Sequence, residues 1–212
     1  MSTIPVSLDG CTDLPPGKIA NVVTFLERTE PPGPPETPTD ALSLVRVISP
    51  DPVWYRALYS RIGENWLWFS RAVMPEVELA AIISSPATVI LALKREGEAI
   101  GLVELDMTVP DEVEIVTFGV VPEEIGSGAA KVLMAGALAH AFSGGVRRVW
   151  LHTCTFDHPS AVRFYVRQGF RAFKFAIEVS DDPRLTGFLP ENAAPHVPLI
   201  RPPKRPRWVD RT

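Results

Sequence analysis

Val120-Val-Pro-Glu-Glu-Ile-Gly-Ser-Gly-Ala-Ala130 carries the chain from an apolar, β-branched run straight into a segment rich in Ala, Leu and Met. Residues Glu112–Val121 predict a strand, and Gly126–Phe142 predict a helix that stops at Ser143-Gly-Gly. The glycines at 126 and 128 leave the backbone of the junction open. A helix start presents unpaired N–H groups and the positive end of the helix dipole, so such a turn suits an anion, phosphate above all. A tight strand-to-helix turn without a ligand explains the same residues equally well. The turn is not a P-loop, because no Lys-Ser/Thr follows, and it lacks the first glycine of the dinucleotide fingerprint.

Periodicity and breakers extend the reading in both directions. Upstream, Leu42–Ile48 alternates like a strand, and Pro52–Arg61 and Glu76–Ile83 read as helices. Thr88–Leu93 and Ala99–Met107 form a hairpin pattern around Glu96-Gly97-Glu98. Downstream, Arg148–His152 is a strand, Pro159–Gln168 a helix closed by Gly169, and Phe170–Val179 a last strand. The order β-α-α-β-β-β-α-β-α-β predicts an α/β chain with a central mixed sheet flanked by helices. Val22–Leu26, earlier still, has the β-branched and aromatic content of one more strand.

Prolines mark where this regular core begins and ends. Of 22 in 212 residues, ten lie in 1–53 and seven in 183–212. Proline removes a backbone donor and fixes φ, so these ends are expected to be extended. The expected organisation is an N-terminal extension over 1–39 with one strand and a Pro31–Pro38 connector, a domain over 40–182, and a proline-rich basic extension over 183–212. The last twelve residues are net +4, leaving −8 for the remainder of a chain whose total is −4. That balance offers no general attraction to nucleic acid or to anionic lipid. No apolar run approaches the roughly 20 residues of a membrane span, and no secretory leader is visible at the start. Two cysteines, Cys11 and Cys154, make no disulfide framework, so a reducing, cytoplasmic setting is expected.

A second block narrows the function. Leu151-His-Thr-Cys-Thr-Phe-Asp-His-Pro-Ser-Ala-Val-Arg-Phe-Tyr-Val-Arg-Gln-Gly-Phe170 is strand, loop, helix, then Gly-Phe entering the last strand. Together with the Gly126-Ser127-Gly128 turn, it resembles the GNAT superfamily of acyl-CoA-dependent N-acyltransferases over about residues 42–179. The family's Asn-x-x-Ala, Tyr and Gly-Phe signature appears as His158-x-x-Ala161, Tyr165 and Gly169-Phe170. Ile125 stands where the family's glycine loop usually has Arg or Gln, and His158 where the signature usually has Asn.

The resemblance implies a GNAT-like fold with acetyl-CoA as co-substrate, held in a splay between strands 112–121 and 148–152. The pyrophosphate would rest on the N–H groups of Gly126, Ser127, Gly128, Ala129 and Ala130, with His158 nearby. Pantetheine would pair with the backbone at Val120, whose N–H would also stabilise the oxyanion. Gly119 would allow a bulge or a close ligand approach there, or merely weaken the strand at a bend. Tyr165 sits where the family often has the acid for the departing thiolate; a core aromatic is the alternative. Glu114, six residues before Val120, shares its face by simple alternation, which makes it the candidate general base. Glu112 is its rival, and a solvated strand carboxylate the plainer explanation.

His152, Cys154, Asp157 and His158 crowd one strand and loop too closely to converge on a metal, so no metal is expected, and Cys154 as a nucleophile is disfavoured. His152 and Cys154 read instead as buried strand residues at the cleft. Trp54, Tyr55, Tyr59, Trp66, Trp68 and Phe69 gather six of eighteen aromatics, either walling an acceptor pocket or packing on the sheet. Arg56, Arg61 and Arg71 would serve an anionic acceptor or a solvated helix face. The expected function is transfer of acetyl to a primary amine, on a small molecule or peptide, by direct attack in a ternary complex. The alternatives are an acyl-CoA sensor without efficient turnover and an interaction module working through its arms. The sequence leaves room for a homodimer.

Overall fold

The computed structural model describes residues 5–33 and 42–203. Seven strands and five helices follow the order β1 (Lys18–Arg28), β2 (Leu42–Val47), α1 (Pro52–Gly63), α2 (Ser70–Val73), α3 (Glu76–Ile83), β3 (Thr88–Arg95), β4 (Glu98–Asp106), β5 (Glu112–Val120), α4 (Ala129–Phe142), β6 (Arg148–Cys154), α5 (Ala161–Arg167) and β7 (Arg171–Asp181). Local chemistry sets several of the boundaries. Asp51 caps α1 by accepting from the Val53 N–H at 2.8 Å, and Pro52 occupies a first-turn position whose N–H has no helical partner in any case. Gly169, at φ +82°, takes the left-handed turn that ends α5. The glycine turn is sharper than expected: Pro122–Glu124 form a 3₁₀ turn, and α4 begins only at Ala129.

The strands form one mixed sheet in the order β2-β3-β4-β5-β6-β1-β7. All neighbours are antiparallel except β5 and β6, which run parallel. The first helices and α4 cover opposite faces. A side chain at Gly119 of β5 would meet Ile62 of α1, whereas one at Gly101 of β4 would meet Leu133 of α4. The main core runs through both layers, with Tyr55, Ile62, Leu79, Leu102, Leu133, Met134 and Leu151 all nearly inaccessible.

The strand of the expected N-terminal extension is an interior strand of this sheet. β1 pairs with β6 from Val23↔Cys154 to Arg28↔Val149, and with β7 from Lys18↔Asp181 to Glu27↔Arg171. Its Leu26 is fully buried. The C-terminal segment also packs back. Arg184, buried, forms a bidentate pair with Asp182 at 2.8–3.0 Å and donates to the Val197 carbonyl at 2.8 Å. Around this latch, Leu189, Ala193, Ala194 and Val197 build a second small core against Leu67, Phe69 and Phe156. Ile200, near the end of this segment, is exposed. Most of the Pro31–Pro38 connector and most of the basic tail lie outside the described residues.

Candidate active site

β5 and β6 stay in register only from Glu112↔Arg148 to Ile115↔Leu151. Beyond that point β5 keeps pairing with β4, up to Val120↔Gly101, while β6 keeps pairing with β1, up to Cys154↔Val23. The two strands therefore part, and a cavity of about 660 Å³ runs through the opening. Phe164, Tyr165 and Ala130 border it from the α4–α5 side, and Tyr59, Trp66 and Trp68 from the α1 side. The Val121 N–H donates back to Ile100 at 2.9 Å, so backbone alternation turns the N–H of Val120 the other way, into the gap.

The glycine turn closes one end of this opening, with Ile125, Gly126 and Ala130 in its wall. Gly126 and Gly128 adopt φ +87° and +92°, and the space where their side chains would stand is empty. Not all five N–H groups expected for phosphate are free. The Ser127 N–H donates to the Glu124 carbonyl at 3.1 Å, and the Ala129 N–H donates to Ser127 Oγ at 3.1 Å. Those of Gly126, Gly128 and Ala130 have no partner among the described residues. Arg95 grips Glu124 with two bonds of 2.8 and 3.0 Å and so braces the start of the turn. The unfilled space and three unpartnered donors at a helix start fit a pyrophosphate without help from Ile125, whose side chain is exposed. His158 lines the opening, lies edge-on to Trp66 at 5.1 Å, and accepts from the Ser160 N–H through Nδ1.

Two details of β5 differ from expectation. The bulge is at Val116, which has no partner where the register shifts between Glu104↔Thr117 and Leu105↔Ile115. Gly119 is not bulged; it is a glycine because Ile62 Cγ2 would lie 2.5 Å and Trp68 3.1 Å from any added Cβ. The bulge also reverses the alternation on which Glu114 and Val120 were placed together. Glu114 shares the α1 face with Thr117 and Gly119, while the Val120 side chain turns to α4. Only the backbone of Val120 faces the opening.

Glu114 nevertheless stands near the site. Its carboxylate lies 4.0 Å from His152 Nε2, and His152 lines the cavity. Burial, then the nearby Asp106 and Glu104 carboxylates, raise the Glu114 pKa from 4.5 to about 7, against a smaller opposing pull from Arg71. Glu112, the rival, is tied to Arg148 at 2.8 Å. Tyr165 is buried against Phe118, Phe164 and Phe170, and its hydroxyl has no hydrogen-bond partner among the described residues. Burial, and then Asp157, push its pKa well above the ordinary phenol value.

The remaining candidates separate cleanly. His152 is exposed at the cleft rather than buried, and Cys154 is half-buried with its thiol pushed up to about 11, chiefly by burial. A thiol so rarely ionised at neutral pH is a poor nucleophile. Asp157 is consumed structurally, accepting from Trp68 Nε1, Thr153 Oγ1 and the Cys154 N–H at 2.7–2.8 Å. Among the described residues no group of three His, Cys, Asp or Glu is placed to hold a metal. Of the aromatics, Tyr55 is core and donates to the buried Glu104, whereas Tyr59, Trp66, Trp68 and Phe69 wall the cavity. None of the three arginines lines it: Arg56 binds the Met74 carbonyl, Arg61 pairs with Glu98, and Arg71 with Glu104. Sequence reasoning missed Asn21, Glu178 and Ser180, which join the lining from β1 and β7 and are reachable only once the strand order is known.

The sequence model of the acetyltransferase (GNAT) family matches residues 55–170. Uncharacterized N-acetyltransferases of Mycobacterium tuberculosis and Mycobacterium bovis are 31% identical over 103 residues, which is 49% of this chain and 65% of theirs. The match thus spans less than two thirds of those relatives. A GCN5-related N-acetyltransferase from Sphaerobacter thermophilus has the same fold at a TM-score of 0.58 and 18% identity, over 76% of this chain and 52% of that one. The ribosomal-protein-S18-alanine N-acetyltransferase from Escherichia coli superposes at 0.54 and 14% identity, over 66% of this chain and 94% of that one.

Proposed function

The chain belongs to the acetyltransferase (GNAT) family, and on that premise we propose that it moves acetyl from acetyl-CoA to a primary amine by direct attack in a ternary complex. What supports this is the parting of β5 from β6, which joins the open glycine turn on the α4 side to the aromatic pocket on the α1 side. Acetyl-CoA, when bound, supplies a thioester carbonyl carbon open to attack by nitrogen.

The roles of the chain follow from where its groups lie. Gly126, Gly128 and Ala130 give their free N–H groups to the pyrophosphate, while Ser127 and Ala129 hold the turn in shape. His158 lines the same opening, beside Trp66. The Val120 N–H donates to the carbonyl oxygen as negative charge develops there. A cationic amine must lose a proton before it attacks, and Glu114, with a pKa near neutrality, receives it at the His152 edge of the cavity. As the C–N bond forms and the C–S bond breaks, Tyr165 donates to the departing sulfur. Its raised pKa favours a hydrogen bond held throughout rather than complete proton transfer. No helix among the described residues is long and apolar enough to cross a membrane, both cysteines are free, and the setting we assign is cytoplasmic.

Thiol release from acetyl-CoA, followed across a panel of primary amines, tests the proposal. Amine-dependent release with matching acetylated product supports it. Tight acetyl-CoA binding without amine-dependent release would move the protein to the alternative role of acyl-CoA sensor.

A further inference from the structure

The charge of the cavity points to what it accepts. Among the described residues its lining includes two carboxylates, Asp157 and Glu178, and no lysine or arginine. Asp157 has both oxygens engaged by Trp68, Thr153 and the Cys154 N–H, so Glu178 is the carboxylate left to meet a ligand. Its Oε2 accepts from Asn21 Nδ2 at 3.0 Å, which fixes the carboxylate at the cavity edge. Because a carboxylate only accepts, the amide of Asn21 must present its NH₂ to Glu178, and its Oδ1 is left buried without a partner. Asn21 is only 7% exposed and lines the same cavity. A buried acceptor without a donor is rare and calls for an explanation, and a donor brought in by a ligand supplies one.

Sheet register says where this pair stands relative to the reacting centre. Asn21 is directly opposite Glu178 on β7, and Val23, two residues on, is opposite Cys154 of β6. Asn21 shares the face of Val23, Cys154 and His152, the face on which Glu114 and the α1 aromatics lie. β6, β1 and β7 are consecutive in the sheet, so at about 4.8 Å per strand Glu178 stands about 10 Å from the β6 wall of the opening before its side chain reaches inward. Trp66 and Phe69 border the space between.

We propose that Glu178 and Asn21 form the distal subsite of the acceptor pocket, and that the acceptor is an elongated amine carrying a second cationic, N–H-donating group about 10 Å from the nitrogen that is acetylated. The subsite deepens the acetyltransfer reading and rests on it for the identity of the reacting end. Both residues lie outside the 55–170 segment that matches the family, so the specificity belongs to the strands at this edge of the sheet.

The test reads binding rather than turnover, so that it stands even where catalysis fails. 1,7-Diaminoheptane, heptylamine and 7-aminoheptanoate are titrated calorimetrically into the CoA-saturated protein and into Glu178→Gln. The diamine is expected to bind about tenfold more tightly than either analogue, the worth of one charge-assisted hydrogen bond, and E178Q to erase that advantage. Equal affinities, no binding, preference for the aminoheptanoate, or an advantage that survives E178Q would each overturn the proposal. Failure of the acetyltransfer reading would show separately, as absence of CoA binding in the preparatory titration.

Discussion

Glu114 and His152 face each other across β5 and β6 at 4.0 Å, at the point where the two strands begin to part. The pair sits at the base of the opening, with the histidine on the cavity wall and the carboxylate behind it, crowded by Asp106 and Glu104. Since that environment raises the carboxyl to about 7, ionised Glu114 accumulates only as pH passes neutrality. The expected kcat/KM for an amine rises with pH through this value, and Glu114→Gln flattens the rise while lowering the rate about a hundredfold. A pH-rate profile of both proteins checks it.

The same shift makes Glu114 a stability cost at high pH. A carboxyl whose folded pKa lies above its unfolded one binds its proton more tightly in the folded state, so stability falls between pH 4.5 and about 7 and stays lower above that. E114Q should therefore unfold at a higher temperature than the wild type at pH 8 and gain little at pH 4. Thermal melts at the two pH values read the difference.

The fold was legible where signals are local. Glu76–Ile83 is a helix with the expected boundaries, and Thr88–Leu93 and Ala99–Met107 form the expected hairpin within a residue or two at each end. Two features were not local. β1 reaches partners more than a hundred residues away, and nothing in Val22–Leu26 distinguishes an inserted strand from an appended one. The bulge falls on Val116, between ordinary strand residues, with no glycine or proline to mark it; Gly119 carried the visible signal but answers to the packing of Ile62. Alternation therefore misplaced Glu114 relative to Val120, although both border the same parting of strands. The places of the glycine turn and Tyr165 beside the opening were readable because each is marked by a short local run of residues.

The interior place of β1 makes a direct prediction. Removing residues 1–29 strips both β6 and β7 of their partner and exposes the contacts of buried Leu26. The truncated chain is expected not to fold, with loss of the cooperative thermal transition. A folded, active truncation would contradict the strand order.

Arg184 ties the C-terminal segment to the wall of the cavity through Asp182 and the Val197 carbonyl. Arg184→Ala leaves the buried Asp182 uncompensated, at a cost of about 3–5 kcal/mol. Limited proteolysis should then cut within residues 185–203, which the wild type protects.

Tyr165→Phe removes only a hydroxyl from a well-packed ring. The expected result is a kcat lower by about ten- to a hundredfold with acetyl-CoA affinity retained, the signature of a group used on the way to the transition state. Steady-state kinetics paired with calorimetry separates this from a purely structural role, in which affinity and melting temperature would fall together.

The proposed function requires acetyl-CoA to lie in the β5–β6 opening with its pyrophosphate on the glycine turn. Calorimetric titration of wild type and Gly128→Val with acetyl-CoA, beside CoA and ATP, tests it most directly. Gly128 holds φ +92° with open space around it, so valine strains the turn and fills the phosphate position without touching the core. Acetyl-CoA and CoA are expected to bind, ATP not with comparable strength, and G128V to weaken binding at least about tenfold with an unchanged fold. Acetyl-CoA affinity that is undetectable in the wild type, or indifferent to G128V, would contradict it.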